Sequence, residues 1–185
     1  MEIADAILVT IKAAGDCISG RTTIQKLIYF ESLFKLVDAN YRPHYYGPYS
    51  SEISSSIQEL TYLDFVKEEV ETRETTGFTV SNDWKRYCYT ISNDGNEIIE
   101  HIKKEHPEEY KKIINLVKVC KDTANLDVNI LSWAAKVNYI LSKQGTSLTP
   151  DEITIIADSF GWKLSQPQID NAVELLKKLD LCQAE

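Results

Sequence analysis

The clearest prediction of the fold comes from residues 65–91, FVKEEVETRETTGFTVSNDWKRYCYTI. Apolar residues cluster at the two ends of this segment, around Val66 and Tyr89, and a polar stretch that contains Gly77 lies between them. Short runs of β-branched and aromatic residues that are separated by turn-forming residues are typical of paired strands. The segment therefore predicts a β-hairpin with a long tip.

Helical patterns lie on both sides of this hairpin. Residues 2–14 carry a one-sided apolar stripe that Gly15 closes, and Thr22 with Gln25 forms a capping-box pattern for a second helix that runs to about residue 37. That second helix is apolar on nearly every side, which predicts a central position in the core. A third helix is expected from an N-cap at Ser50, and a fourth after Asp94-Gly95.

The order helix, helix, turn, helix, hairpin, helix is that of a winged helix–turn–helix domain, which we assign to residues 1–105. Residues 106–185 predict an all-helical C-terminal domain, so the chain as a whole is mainly α within the α+β class. Its four helices are expected at about 107–122, 128–143, 149–160 and 166–181, the last two beginning with the capping boxes Thr149–Glu152 and Ser165–Gln168.

An internal similarity links the third helix to the last. The apolar spacing that ends in Leu63-Asp64-Phe65 returns 116 positions later and ends in Leu179-Asp180-Leu181. One interpretation is that any amphipathic helix shows this spacing. The other is a second, wingless helix–turn–helix in the C-terminal domain.

Two stretches resemble the YwgA-type family of largely uncharacterised proteins. The first is RTTIQKLIY, residues 21–29, and the second is HYYGPYSSEI, residues 44–53; Tyr89-Thr90 and Gly95 also fit the closing segment of that family. The resemblance covers about residues 1–105 and implies a winged-helix fold. Through more distant antitoxin-type domains it also implies a regulatory or toxin-neutralising role, and it carries no catalytic residues.

Composition excludes several classes of protein. The 185 residues carry a formal charge of −8, and no apolar run approaches the roughly 20 residues that a membrane helix needs. The acidic N-terminus, MEIADAI, is unlike a secretory or transit signal, so we expect a cytoplasmic protein without a membrane partner. The four cysteines form no CxxC pair, and we expect them to be reduced and mostly buried.

An enzyme is not expected. The chain has three histidines and lacks a glycine-rich phosphate loop, a nucleophile elbow and metal-ligand spacing, so we predict neither a catalytic residue, a metal nor a cofactor. The densest candidate site is the signature turn, which is either a ligand or partner pocket or a structural turn whose tyrosines pack on the central helix. Its residues are His44, Tyr46, Gly47, Pro48, Tyr49 and Ser50.

Candidate nucleic-acid contacts fall into two groups. The cations and the tryptophan lie near the second helix, the turn and the wing, at Arg21, Lys26, Arg42, Arg73, Trp84, Lys85 and Arg86. The third helix offers only polar side chains, at Ser51, Ser54, Ser55 and Gln58, together with two glutamates. Residues 1–105 hold 11 Lys+Arg against 17 Asp+Glu, so the presumed DNA reader is the more acidic half.

Two functions follow from these observations. The first is a DNA-binding, transcription-type regulator that acts as a homodimer and uses the cations of the wing and the turn. The second is a protein-interaction module, antitoxin-like or an adaptor, whose acidic faces bind a basic protein and which has no nucleic-acid activity.

Overall fold

The computed structural model describes residues 1–73, 84–145 and 148–182. Within these ranges the chain is mainly helical, with eight helices and two small antiparallel sheets. The elements are α1 (Ile3–Gly15), β1 (Cys17–Ser19), α2 (Arg21–Leu33), β2 (Arg42–His44), β3 (Gly47–Tyr49), α3 (Ser51–Tyr62), β4 (Val66–Arg73), β5 (Trp84–Ile91), α4 (Asn93–Glu105), α5 (Pro107–Ala124), α6 (Val128–Gln144), α7 (Pro150–Ser159) and α8 (Gln166–Lys178).

The predicted hairpin is confirmed as far as the structure describes it. Strands β4 and β5 pair antiparallel from Val66 opposite Ile91 to Arg73 opposite Trp84, and residues 74–83 of the predicted tip lie outside the described residues. Strand β1 pairs with the other edge of β5, which gives the sheet order β1-β5-β4. The sequence analysis missed β1 because a three-residue strand has too short a pattern to detect.

Helix α2 occupies the centre of the core, as its apolar pattern predicts. Every residue from Thr23 to Glu31 is buried, and α2 packs against α1, α3 and α6. The helix ends at Leu33 rather than near residue 37, because Lys35 adopts a left-handed conformation with φ of +57°. The buried residues Leu36 and Val37 follow this turn and extend the core beyond the helix.

The start of α2 differs from the prediction. Gly20 occupies the N-cap position and Arg21 begins the helix, so the predicted Thr22–Gln25 capping box is wrong. The side chain of Gln25 instead makes two hydrogen bonds with the backbone of Ser50: its Nε2 donates to the carbonyl at 2.8 Å, and its Oε1 accepts from the N–H at 3.0 Å. Gln25 is therefore not available to cap the helix locally, because its side chain is bonded to a residue 25 positions away in the chain.

The C-terminal helices pack on the N-terminal ones. Helix α5 contacts α1, α6 contacts α2, and α8 lies on α6, so a single hydrophobic cluster runs through residues 6–179. The boundary predicted at residue 105 coincides with the end of α4. The division into two independently folding domains stays a prediction.

The four C-terminal helices begin and end close to their predicted residues. Both predicted capping boxes are present, with Thr149 and Glu152 at α7 and Ser165 and Gln168 at α8. The ends of α3 and α8 also match, since Asp64 and Asp180 adopt left-handed conformations with φ of +59° and +56°. Lys35 and Gly161 follow the ends of α2 and α7 with the same left-handed conformation. Because several helices of the chain end in this way, the shared ending of α3 and α8 is not evidence for a repeated motif. A second helix–turn–helix stays a prediction.

Candidate interaction surface

The signature turn is a short hairpin built from β2 and β3. Arg42 pairs with Tyr49, Pro43 with Pro48, and His44 with Gly47. Gly47 is buried with φ of +99°, and a Cβ atom there would lie 3.1 Å from Cγ of Lys136. Both the backbone conformation and the close approach of α6 therefore require glycine at this position.

Several hydrogen bonds hold this turn against the core. The side-chain nitrogen of Lys26 donates to the carbonyl of Pro48 at 2.6 Å, and Gln25 holds the backbone of Ser50 as described above. From the other half of the chain, Nε1 of Trp162 donates to the carbonyl of His44 at 2.7 Å. The turn therefore connects α2 to the segment between α7 and α8, which supports its structural interpretation.

The tyrosines of the turn do not all pack inward. Tyr45 and Tyr46 are 72% and 54% exposed, and their rings form an edge-to-face pair with centroids 4.9 Å apart. The interpretation in which the turn's tyrosines pack on the central helix therefore fails for Tyr45 and Tyr46. The exposed side of the turn also includes His44 and Arg42, whereas Tyr49 is half-buried.

Lys26 is not a surface cation. Its side chain is 1% exposed, and burial, with a smaller effect from the nearby Lys136 ammonium, lowers its pKa to about 7. A lysine buried to this extent contacts a phosphate only if the signature turn opens. Its inclusion among the nucleic-acid contacts is therefore corrected: the prediction failed because helix periodicity cannot show that a lysine on an all-apolar helix turns inward beneath a loop.

Arg21 is already paired within the protein. Its guanidinium donates to the Glu68 carboxylate at 2.7 Å and to the Tyr89 hydroxyl, and it lies over the ring of Tyr87 at 5.5 Å. The hydrogen bond that Arg21 donates to Glu68 is the main reason that the pKa of Arg21 is raised. Contact with a phosphate would have to replace this half-buried ion pair, so Arg21 offers little free positive charge.

The remaining wing positions are described only by their backbone. Strand pairing places Arg73 opposite Trp84, Lys85 opposite Thr72, and Arg86 opposite Glu71. The side chains of Arg73, Trp84, Lys85 and Arg86 lie outside the described part of the structure.

Helix α3 presents a polar, acidic and aromatic face. Ser51, Ser55 and Gln58 are exposed as predicted, whereas Ser54 is half-buried, and Ser50 is buried at the N-cap without capping through its side chain. Beside them the helix exposes Glu52, Glu59 and Tyr62, and Leu63 follows at its C-cap. The helix contains neither lysine nor arginine. We call this surface, Ser51, Glu52, Ser55, Gln58, Glu59, Tyr62 and Leu63, the α3 face.

The α3 face also carries two large side chains, Tyr62 and Leu63, for which the sequence predicted no role. Tyr62 is 87% exposed and Leu63 is 48% exposed. Glu52 is held in place because its carboxylate accepts hydrogen bonds from the backbone N–H and the side-chain amide of Asn40, both at 2.9 Å. These bonds lower the pKa of Glu52 and keep its negative charge on the surface.

The two signature stretches meet at one open cleft of about 890 Å3. Arg21 and Thr22 line one side, Tyr46 of the turn lines another, and Cys17 and Asp127 complete the rim. Sequence reasoning missed this cleft because it depends on the docking of the α5–α6 connection, which no local pattern encodes.

The chain is similar to one protein of the bacterium Bacillus subtilis (strain 168). That protein is the uncharacterized protein YwgA. The two sequences are 30% identical over 92 residues, which is 49% of this chain and 51% of YwgA, so the chain spans about half the length of this relative. The match supports the YwgA-like resemblance. No family model matches the chain.

Proposed function

We propose that this chain is a protein-interaction module, antitoxin-like or an adaptor, that binds a basic protein through the α3 face. The observation that carries the proposal is the composition of that face, which combines Glu52 and Glu59 with the exposed Tyr62 and has no lysine or arginine. A surface of this kind repels nucleic-acid phosphates and attracts a positively charged protein surface.

The exposed apolar groups favour the same partner. Tyrosine is enriched among the residues that dominate binding energy in protein interfaces, and Tyr62 stands next to Leu63 and one turn from Glu59. We expect Tyr62 to enter a pocket on the partner, with Glu59 contributing charge at its rim. Loss of an anchor of this type costs on the order of 2 kcal/mol of binding free energy.

The architecture is consistent with a binding role for α3. The order α1-β1-α2-β2-β3-α3-β4-β5, with the signature turn between α2 and α3, and the sheet order β1-β5-β4 support a winged-helix interpretation, in which the third helix is the recognition helix. In this chain the helix at the recognition position would meet its partner with carboxylates. We place the module in the cytoplasm, as its composition predicts.

The proposal is tested by co-purification of the full chain from its native host. The double variant Glu59→Lys with Tyr62→Ala should lose a stoichiometric protein partner that the wild type retains. Glu97→Lys, an equal charge change at an exposed position of α4, should retain it. Equal recovery of that partner by both variants would show that the α3 face is not the binding surface. Recovery of the wild type without any partner protein would contradict the proposal.

A second candidate is a homodimeric, DNA-binding regulator. It is favoured by the exposed Arg42 on the signature turn and by the wing strands, which carry Arg73, Trp84, Lys85 and Arg86 near their paired ends. On this interpretation the wing grips the phosphate backbone while α3 contributes little. Binding to DNA would then rest on only a few phosphate contacts from each chain.

A salt titration of binding to pooled duplex DNA tests this candidate. It requires measurable affinity at low salt that falls steeply as salt rises, and a clear loss on Lys85→Ala with Arg86→Ala. Lys103→Ala with Lys104→Ala, an adjacent exposed pair on α4, is the matched control and should bind as the wild type does. An absence of binding at low salt rejects the candidate.

A further inference from the structure

Two cysteines lie side by side on the three-stranded sheet, one on an edge strand and one on the central strand. The Sγ atoms of Cys17 on β1 and Cys88 on β5 are 3.5 Å apart. Cys17 is exposed and Cys88 is half-buried, so the prediction that the cysteines are mostly buried is wrong, and only Cys120 is fully enclosed. Sequence could not have paired residues 17 and 88, because the contact depends on a strand that its pattern does not reveal.

The register explains why these sulfurs meet. Cys88 is directly opposite Ser19, and Cys17 is opposite Thr90, so the two cysteines are diagonal neighbours across an antiparallel pair. Diagonal neighbours are within reach of each other's side chains. The sulfurs must approach by about 1.5 Å to reach disulfide bonding distance. Because β1 is a three-residue edge strand, it can follow that movement without disturbing a second ladder.

We propose that Cys17 and Cys88 are a site of reversible oxidation, converted by hydrogen peroxide into an intramolecular disulfide. The Cys17 thiolate attacks one peroxide oxygen, which gives Cys17 sulfenic acid and releases hydroxide. The Cys88 thiol then attacks that sulfur, forms the S–S bond and displaces the hydroxyl group as water after proton transfer. In total, two thiols and one peroxide give one disulfide and two waters, and the two electrons pass from sulfur to oxygen.

The order of attack follows from accessibility. Cys17 is the exposed member of the pair. Cys88 is half-buried on the central strand, between Ser19 of β1 and Glu69 of β4. Burial and the hydrogen bond with Cys88 raise the pKa of the Cys17 thiol. Its thiolate is therefore scarce at neutral pH, and oxidation needs sustained peroxide exposure rather than a brief pulse. After oxidation the second sulfur is already in contact, which favours ring closure over reaction with another molecule.

The disulfide would act on the cleft at the signature stretches. Cys17 lines that cleft beside Arg21 and Tyr46, and oxidation would fasten β1, which leads directly into α2, to the sheet. A link between residues 17 and 88 closes a long loop of the unfolded chain, so the oxidised protein should melt several degrees higher than the reduced one. This site does not depend on the identity of a protein partner.

The test is peroxide treatment of the full chain, thiol blocking and mass mapping of peptides without reduction. We expect one internal cross-link between Cys17 and Cys88, with the loss of two hydrogen atoms. Dithiothreitol should reverse the cross-link and also abolish the gain in melting temperature. Cys182→Ser should form the same cross-link, whereas Cys17→Ser and Cys88→Ser should not.

Three results would overturn the proposal, and all can be read from the wild type, so they do not depend on the folding of a variant. They are separate oxidation of Cys17 and Cys88 to sulfinic acids, a cross-link between two molecules through Cys17, and a cross-link of either cysteine to Cys120 or Cys182.

Discussion

Buried ionisable residues in α2 link the fold to pH. Lys26 is enclosed beneath the signature turn, and Glu31 is enclosed at the other end of the helix, where its Oε1 accepts a hydrogen bond from Thr10 at 2.7 Å. Burial lowers the pKa of Lys26 to about 7 and raises the pKa of Glu31 to about 8. Folding therefore favours the neutral form of each group, and the sequence gives no indication of this because both residue types normally mark a solvated face.

The signs of the two effects are opposite. Between the folded pKa of Lys26 and its ordinary value of 10.5, the unfolded chain binds a proton that the folded chain does not, so stability rises with pH. Between 4.5 and about 8 the folded chain holds a proton on Glu31 that the unfolded chain has lost, so stability falls with rising pH. Above pH 8 the contribution of Lys26 can be measured apart from that of Glu31.

We predict that Lys26→Met removes a rise in the free energy of unfolding between about pH 8 and pH 10. The difference between the wild type and this variant should increase by up to about 1.4 kcal/mol per pH unit. Urea unfolding across that range measures it. Lys118→Met, which changes an exposed lysine of α5, should leave the profile unchanged. A wild-type profile that runs parallel to that of Lys26→Met would show that Lys26 is ionised in the folded protein.

At the scale of elements, local signals were predictable and long-range ones were not. The capping boxes at Thr149 and Ser165 lie within four residues of chain, and the structure confirms both. The capping box expected at Thr22 fails because Gln25 bonds to Ser50, and β1 escaped detection because its strand conformation depends on β5. The α3 face was only partly predicted, because the exposure of Tyr62 depends on how the helix packs and not on its own sequence pattern.

Gly95 provides a test of close packing between elements. It lies in the first turn of α4, and a Cβ atom there would be 2.3 Å from the carbonyl oxygen of Phe65, which is backbone and cannot move aside cheaply. Helix propensity alone would make Gly95→Ala stabilising by about 1 kcal/mol. We predict the opposite, a loss of roughly 2–3 kcal/mol. Denaturant unfolding decides between these signs, and a more stable variant would refute the close approach.

The start of α7 gives a smaller, local prediction. Thr149 accepts a hydrogen bond from the N–H of Glu152, and the Glu152 carboxylate accepts from the N–H of Thr149 at 2.8 Å. Thr149→Ala should cost about 1 kcal/mol of stability. Thr149→Ser keeps the hydroxyl and should cost much less. Equal losses in the two variants, measured by thermal unfolding, would place the effect in the methyl group instead.

For the whole molecule, the distribution of charge is the reason for preferring one of the two proposed functions. The formal charge of −8 was predictable, but its consequence depended on where the cations lie. Lys26 is enclosed and Arg21 is paired with Glu68, so two of the expected phosphate contacts are occupied within the protein. The α3 face keeps its carboxylates on the surface. This redistribution is why we favour a basic protein over DNA as the partner.

The most direct test of this account is photo-crosslinking in the native host from a reactive amino acid placed at Gln58, in the middle of the α3 face. The same group placed at Glu97 on the exposed side of α4 serves as the control. We predict a cross-link from position 58, absent from position 97, to one protein with a basic surface. Cross-linking of position 58 to nucleic acid, or to no macromolecule at all, would contradict the account.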